Sequence, residues 1–313
     1  MKPRVLFVTE KWFGGNPNLS FTNNFHNLFN SFSSSLGHEF TWNTIHVDES
    51  YSVYGKHVDE IVPRYCEENN IRIIFYCLLG SDFRNPSLET YQKLKSQNVL
   101  QCFMWPDTAS WALAKINELK GLADLHVSWD YSSSKIDYAD NHLCLWAPQD
   151  KSLFYPDEQI IDVSFVGSKH HRDRRLYLPF IQAQIPNILI SGGQGEAQLT
   201  PQIYASIIRK SKINLNFSLH PLGFDQIKGR VFETLGSKSL LLERANEMTK
   251  KLFSPGVEYV EFDNPQDAVD KIKYFLSNEK EREKIAENGY RAYFNRHSPD
   301  IFWRTIMNKL LKL

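Results

Sequence analysis

Residues 220–243 read HPLGFDQIKGRVFETLGSKSLLLE. Lys228, Arg230 and Glu233 stand beside Gly229 and among the apolar Val231, Phe232 and Leu235. Strand-like apolar runs at 213–217 and 239–242 flank the stretch. The pattern predicts a loop over 218–229 on the carboxyl side of a strand and a short helix over 230–235. A helix start carries unpaired N–H groups and the positive end of the helix dipole, and both suit a phosphate. Gly229 lets a ligand approach the backbone there, at the amides of Gly229, Arg230 and Val231. Lys228 and Arg230 add charge, and Glu233, one turn on, could accept hydrogen bonds from a ribose. The alternative is a surface helix with solvated charges.

Three other stretches could do chemistry. Residues 165–175, FVGSKHHRDRR, read as a strand, a Gly167-Ser168 turn and a helix opening with Arg172, Arg174 and Arg175. Arginine grips a diphosphate with its planar fork. Arg172 and Arg175 share a helix face and are the expected pair; a solvated basic turn is the alternative. His170-His171 lack a third ligand at a suitable spacing, so no metal is expected. Residues 8–18, VTEKWFGGNPN, place Gly14-Gly15 after the first strand. This turn could admit a phosphate or a sugar, or be a plain turn; neither GxGxxG nor GxxxxGK[ST] is present. Residues 104–108, MWPDT, put Asp107 just after a strand, as a general base, a sugar-hydroxyl acceptor or the cap of the next helix.

The elements that must position these residues alternate along the chain. Strands are expected at 5–9, 40–46, 72–77, 99–104, 125–129 and 143–146, and again at 162–166, 188–190, 213–217, 239–242 and 259–262. Helices are expected at 21–34, 56–68, 86–96 and 109–120 in the first half. In the second they are expected at 172–180, 201–210, 230–235, 265–277 and 279–295. Repeated βα units imply parallel sheets covered on both faces. A polar, proline-bearing stretch at 147–158 reads as a linker. The 313 residues thus divide into domains over 1–150 and 151–297, with a last amphipathic helix from 298 to 313. Two such domains facing across a cleft would bind a ligand beyond the carboxyl ends of their strands.

Lys plus Arg and Asp plus Glu both number 36, so the zero net charge argues against nucleic-acid binding through a global basic field. No apolar run reaches the length of a membrane span. Cys66, Cys77, Cys102 and Cys144 form no CxxC pair and are expected as buried, reduced thiols. That usage points to a cytoplasmic protein.

Residues 164–168, 211–218, 228–236 and 256–262 resemble the donor-binding half of a GT-B glycosyltransferase of the group-one type, similar to spore-maturation-protein-B-like enzymes. The resemblance covers 160–297; residues 1–150 share only the architecture. It implies two Rossmann-like domains, a C-terminal helix crossing back to the first, and a nucleotide-sugar donor, UDP-sugar by preference, bound mainly by the second. The apolar face for that crossing is Ile301, Phe302, Trp303, Ile306 and Leu310. Many retaining members carry two glutamates separated by seven residues. Here Glu233 matches the second, and Asp225 stands where the first would be. The resemblance also places Lys228 and Arg230, with Arg172 or Arg175, on the diphosphate, and the 191–196 loop, including Gly192, near the base. Arg230 stabilises the leaving group in this reading.

The expected reaction is sugar transfer with retention, without a metal or other cofactor, to an acceptor hydroxyl of unknown kind. If the reaction inverts instead, Asp107 becomes the base. Trp12, Phe13, Trp105 and Trp111 could stack on acceptor sugar rings or lie in the core. The rival readings are a nucleotide-sugar epimerase or hydrolase of the same fold, and a non-catalytic nucleotide-sugar-binding protein.

Overall fold

The computed structural model describes residues 2–18, 25–78, 82–106, 111–129, 141–192, 199–220 and 223–312. The chain forms two compact units. Unit 1 comprises residues 1–130, 135–148 and 299–313, and unit 2 comprises 131–134 and 149–298.

Unit 1 is built on strands β1 (Arg4–Thr9), β2 (Thr41–His46), β3 (Ile73–Cys77), β4 (Leu100–Trp105), β5 (Leu125–Ser128) and β6 (His142–Cys144). They pair in parallel in the order β2-β1-β3-β4-β5-β6. The central strands are continuous apolar runs because helices cover both faces; β3 is buried at every position. The last helix, Pro299–Leu310, belongs to this unit and packs on helix Ser31–Leu36. It buries Phe302, Trp303, Ile306 and Leu310 completely. Cys66, Cys77 and Cys102 are buried, whereas Cys144 is exposed. The expectation of four buried thiols fails there because β6 is a three-residue strand at the sheet edge. Trp12 and Trp105 are core residues, Phe13 is 54% exposed, and the Trp111 side chain lies outside the described residues.

Unit 2 contains β7 (Ile161–Val166), β8 (Leu189–Ser191), β9 (Ser211–Asn216), β10 (Leu240–Arg244) and β11 (Val260–Phe262), all parallel, in the order β11-β10-β9-β7-β8. Its core carries a satisfied polar chain: Ser164 Oγ donates to Asn214 Oδ1 (2.8 Å), and Asn214 Nδ2 donates to the Ile208 carbonyl (3.0 Å). The stretch expected as a linker is partly interior, since Leu153 and Phe154 pack on Val166, Ala205 and Ile208.

Helix Gly229–Gly236 is too short to be stable alone. It survives because Val231 to Gly236 are all buried, against helix Glu279–His297 among others. Gly289 permits that approach: a Cβ there would lie 2.3 Å from the Glu258 carbonyl oxygen and 2.7 Å from Leu235 Cδ2. Because a backbone atom must move, Gly289→Ala is expected to lower stability by about 1–3 kcal/mol. Thermal unfolding would show this as a lower Tm, and an unchanged Tm would mean the two helices can separate freely.

Candidate active site

In unit 2 the chain leaves β7 for β8 on one side and returns to β9 on the other. That reversal makes a crevice beyond the carboxyl ends of β7 and β9, where open α/β sheets bind ligands. Gly167-Ser168 follow β7, and Asn216-Phe217-Ser218 end and follow β9. Helices Arg172–Gln184 and Gly229–Gly236 start beside it.

Two arginines converge on one ring here. The guanidinium carbon of Arg230 lies 5.3 Å from the centroid of Phe165, and that of Arg174 lies 5.5 Å from it. Arg230 Nη1 donates to Asn216 Oδ1 (2.6 Å), and its Nε has no hydrogen-bond partner among the described residues. Arg174 Nη1 donates to the Ser168 carbonyl (3.0 Å) and Nη2 to the Phe217 carbonyl (2.9 Å). Burial first, and then the like charge of Arg230, lower the Arg174 pKa. Two cations held against one ring repel each other, and an anion relieves that repulsion.

Glycines keep the space open. Gly167 has φ +144, and a Cβ on it would sit 2.4 Å from Arg230 Nη2. Gly192, at φ +86, closes the end of β8 against Gly167. Glu233 is 8% exposed, and its Oε2 accepts from the Tyr204 hydroxyl (2.5 Å). Burial raises its pKa, while the Tyr204 hydrogen bond and the charge of Arg230 pull it down.

The other residues singled out in the sequence fall as follows. Lys228 caps the short helix and donates to Gln226 Oε1. Gly229 is the first helical residue, and Val231 is fully buried, so only its backbone could meet a ligand. Ser168 contributes its carbonyl to Arg174. Arg172 opens its helix, with a side chain outside the described set, and Arg175 is exposed. Asp225 Oδ2 accepts from the Glu247 amide (3.0 Å) and so helps cap helix Glu247–Leu252. Asp107 lies outside the described residues.

In unit 1, Gly14 and Gly15 adopt φ +61 and +67 in the turn after β1. Arg84 Nη1 donates to the Gly15 carbonyl (3.0 Å), and the carboxylate of Asp48 receives the amides of Lys11 (2.8 Å) and Trp12 (2.9 Å). Beside them Glu10 is pushed up to about 7, first by burial and then by the charge of Asp48. A carboxyl poised near neutrality could exchange a proton.

Sequence reasoning named Arg174 but preferred Arg172 and Arg175, gave Asn216 no role of its own, and did not single out Tyr204, Glu243 or Glu10. Glu243 is fully buried at the end of β10, receiving Asn216 Nδ2 (2.6 Å) and the Ser218 amide (3.0 Å). The available signal was a charge closing an apolar run.

Residues 165–308 match the Glycosyl transferase-like family profile. No curated protein matches the chain by sequence. Among solved structures, the chain is similar to Anabaena HepE, crystallised with UDP and glucose: 10% identity, 99% of this chain and 100% of that one, TM-score 0.62. A glycosyltransferase from Rickettsia africae is 13% identical over 98% of this chain and 97% of its own, with a TM-score of 0.63. A putative UDP-N-acetylglucosamine 2-epimerase from Listeria monocytogenes is 11% identical over 98% and 95%, with a TM-score of 0.56. At these identities the likeness is one of fold, the GT-B arrangement of two parallel-sheet α/β units.

Proposed function

We propose that this chain, whose residues 165–308 match the Glycosyl transferase-like family and whose fold is that of GT-B enzymes, is a glycosyltransferase that moves the sugar of a nucleoside-diphosphate donor, a UDP-sugar by preference, to an acceptor hydroxyl. The observation that carries this reading is the pair of arginines on Phe165 at the switch point of unit 2. Breaking the anomeric bond leaves charge on a diphosphate. Fixed cations stabilise that charge without reorganising as it develops. The guanidinium of Arg230, whose Nη2 faces the space that Gly167 leaves, would meet it, and the amides at the start of helix Gly229–Gly236 add donors. In this reading the two arginines supply the positive charge, so no metal is required. Glu233, set one turn into that helix, takes the ribose. The Listeria epimerase has the same fold, so fold does not decide between transfer and isomerisation.

Retention at the anomeric carbon is part of the proposal; it follows from the resemblance of 228–236 to retaining enzymes, and NMR of the product tests it. An inverted product would move the search for a base to Glu10 or Asp107.

The first test is a thermal-shift screen with UDP, GDP, ADP, CMP and their sugar conjugates. A ligand at about 100 times its Kd adds roughly 2.7 kcal/mol of stability. One nucleotide should raise Tm selectively; no shift with any would sink the donor reading. Incubating the matching sugar conjugate without acceptor then separates the rivals, because an isomerised or hydrolysed donor would favour the epimerase class. Glu233→Ala is expected to weaken the selected nucleotide by about 1.5–3 kcal/mol. Gly167→Ala should weaken it by roughly tenfold, because the new methyl displaces Arg230 and its backbone is strained. Calorimetric titration reads both, and unchanged affinity in both would place the site elsewhere.

A further inference from the structure

The arginine at the site start is aimed by a buried chain of polar atoms. Asn216 and Glu243 are opposite each other in the β9–β10 register, so their side chains rise on the same face. Asn216 Nδ2 donates to Glu243 Oε2 (2.6 Å) and to Ser218 Oγ (3.0 Å). Asn216 Oδ1 accepts from Arg230 Nη1 (2.6 Å). An ionised carboxylate only accepts and a guanidinium only donates. The asparagine amide therefore has one orientation that satisfies both neighbours, and the charge of Glu243 is what fixes it. Asn216 and Glu243 are 0% exposed, so water cannot substitute for either.

We propose that Glu243 is a positioning residue for the donor: its carboxylate locks the Asn216 amide, which holds the Arg230 guanidinium against Phe165 in the geometry that receives the diphosphate. This rests on the donor-site reading above and adds a dependence on the protonation of a residue that does not touch the ligand. The Ser218 amide (3.0 Å to Oε1) supplies the carboxylate's other partner.

Burial pushes Glu243 up to about 7, against the hydrogen bonds from Ser218 and Asn216 and the charge of Arg230. Arg174 from helix Arg172–Gln184 and the Tyr259 phenol are the other ionisable groups that feel its charge. Neither Arg174 nor Tyr259 changes charge near neutrality: the arginine stays a cation, and burial raises the tyrosine well above its ordinary value. Glu243 is thus the member of this chain that titrates there. Above its pKa the carboxylate orients Asn216 toward Arg230. Below it, the neutral acid accepts more weakly from Asn216 Nδ2 and can turn its own O–H toward the amide, so the lock on the orientation that serves Arg230 is lost.

The test is calorimetric titration with UDP-glucose, whose diphosphate diester does not change charge between about pH 5.5 and about pH 8.5. Wild-type affinity should rise by roughly tenfold across about pH 7. Glu243→Gln should bind more weakly than wild type at high pH and show no such rise, since its amide orients Asn216 either way. Asn216→Ala cuts the chain while keeping Glu243, and it should also flatten the profile; it provides the same test if the glutamine variant does not fold. A Glu243→Gln or Asn216→Ala profile parallel to wild type would overturn the proposal, as would a flat wild-type profile. A wild type that binds another nucleotide in the screen but UDP-glucose at no pH would overturn the proposal while leaving the donor reading standing. Failure to bind any donor would instead overturn the donor reading and the proposal with it.

Discussion

Arg230→Ala is expected to lower kcat/KM for the nucleotide-sugar donor by roughly 10²–10³, the usual loss on removing one preorganised donor to a developing anion. Three observations make this residue the most exposed to substitution. Its guanidinium is placed by Asn216 Oδ1 and the Phe165 face, its Nε is unpartnered among the described residues, and Gly167 leaves room for its Nη2. A guanidinium held by its neighbours, with a glycine keeping side-chain atoms away from its Nη2, is arranged for a ligand. The fold should tolerate the loss, because Arg230 is only partly buried and Phe165 keeps its contacts with Phe217 and Arg174. Arg230→Lys should recover little: a lysine is a point charge and lacks the flat fork that stacks on the ring and bonds to Asn216 together. Steady-state kinetics beside a melting curve check both. Full activity in the alanine variant at unchanged Tm would show that the diphosphate is held elsewhere.

The strands were the legible part of the sequence. Parallel strands buried on both faces are short apolar runs, so β3 and β7 announce themselves, and helix Pro265–Ser277 was marked by Asn264 as its cap and a proline at its first position. Helices Val47–Ser52 and Glu247–Leu252 were not foreseen. Six residues are too few for a 3.6-residue period to show; the second is set by its cap, where Asn246 Oδ1 receives the amides of Met248 and Thr249, whereas His46 before the first makes no such bond. At the site, helical spacing says which arginines share a face but not which face turns inward. Arg174 turns inward because Phe165 and the carbonyls of Ser168 and Phe217 receive it; Phe165 lies on β7 and Phe217 directly follows β9, and the pairing of those two strands is not local. Glu243 was hidden for the same reason: its meaning depends on standing opposite Asn216. Residues next to a helix start or a glycine turn could be found from the chain alone, whereas those joined across strands needed the register.

The largest expected loss of stability comes from Trp303→Ala, about 3–5 kcal/mol. Trp303 is fully buried in the last helix, with Phe32 (5.0 Å), Phe75 (5.4 Å) and Phe7 (6.0 Å) packed edge-to-face around it. Its Nε1 donates to Ser31 Oγ (2.9 Å), so the partners lie 228 or more residues earlier in the chain and the contact closes unit 1. Alanine leaves a cavity among three aromatic rings that pack on one another and cannot collapse into it. Trp303→Phe should cost less, because it keeps most of the volume and loses the hydrogen bond. Differential scanning calorimetry should show the unit 1 transition falling by on the order of 10 °C for alanine. The residues proposed to hold the donor, Arg174, Arg230 and Glu233, all belong to unit 2, so below that transition the variant should still bind the selected nucleotide. A variant that melts like wild type would mean the last helix adds little to unit 1. One that loses nucleotide binding while fully folded would mean that this aromatic cluster supports the donor site as well as its own core.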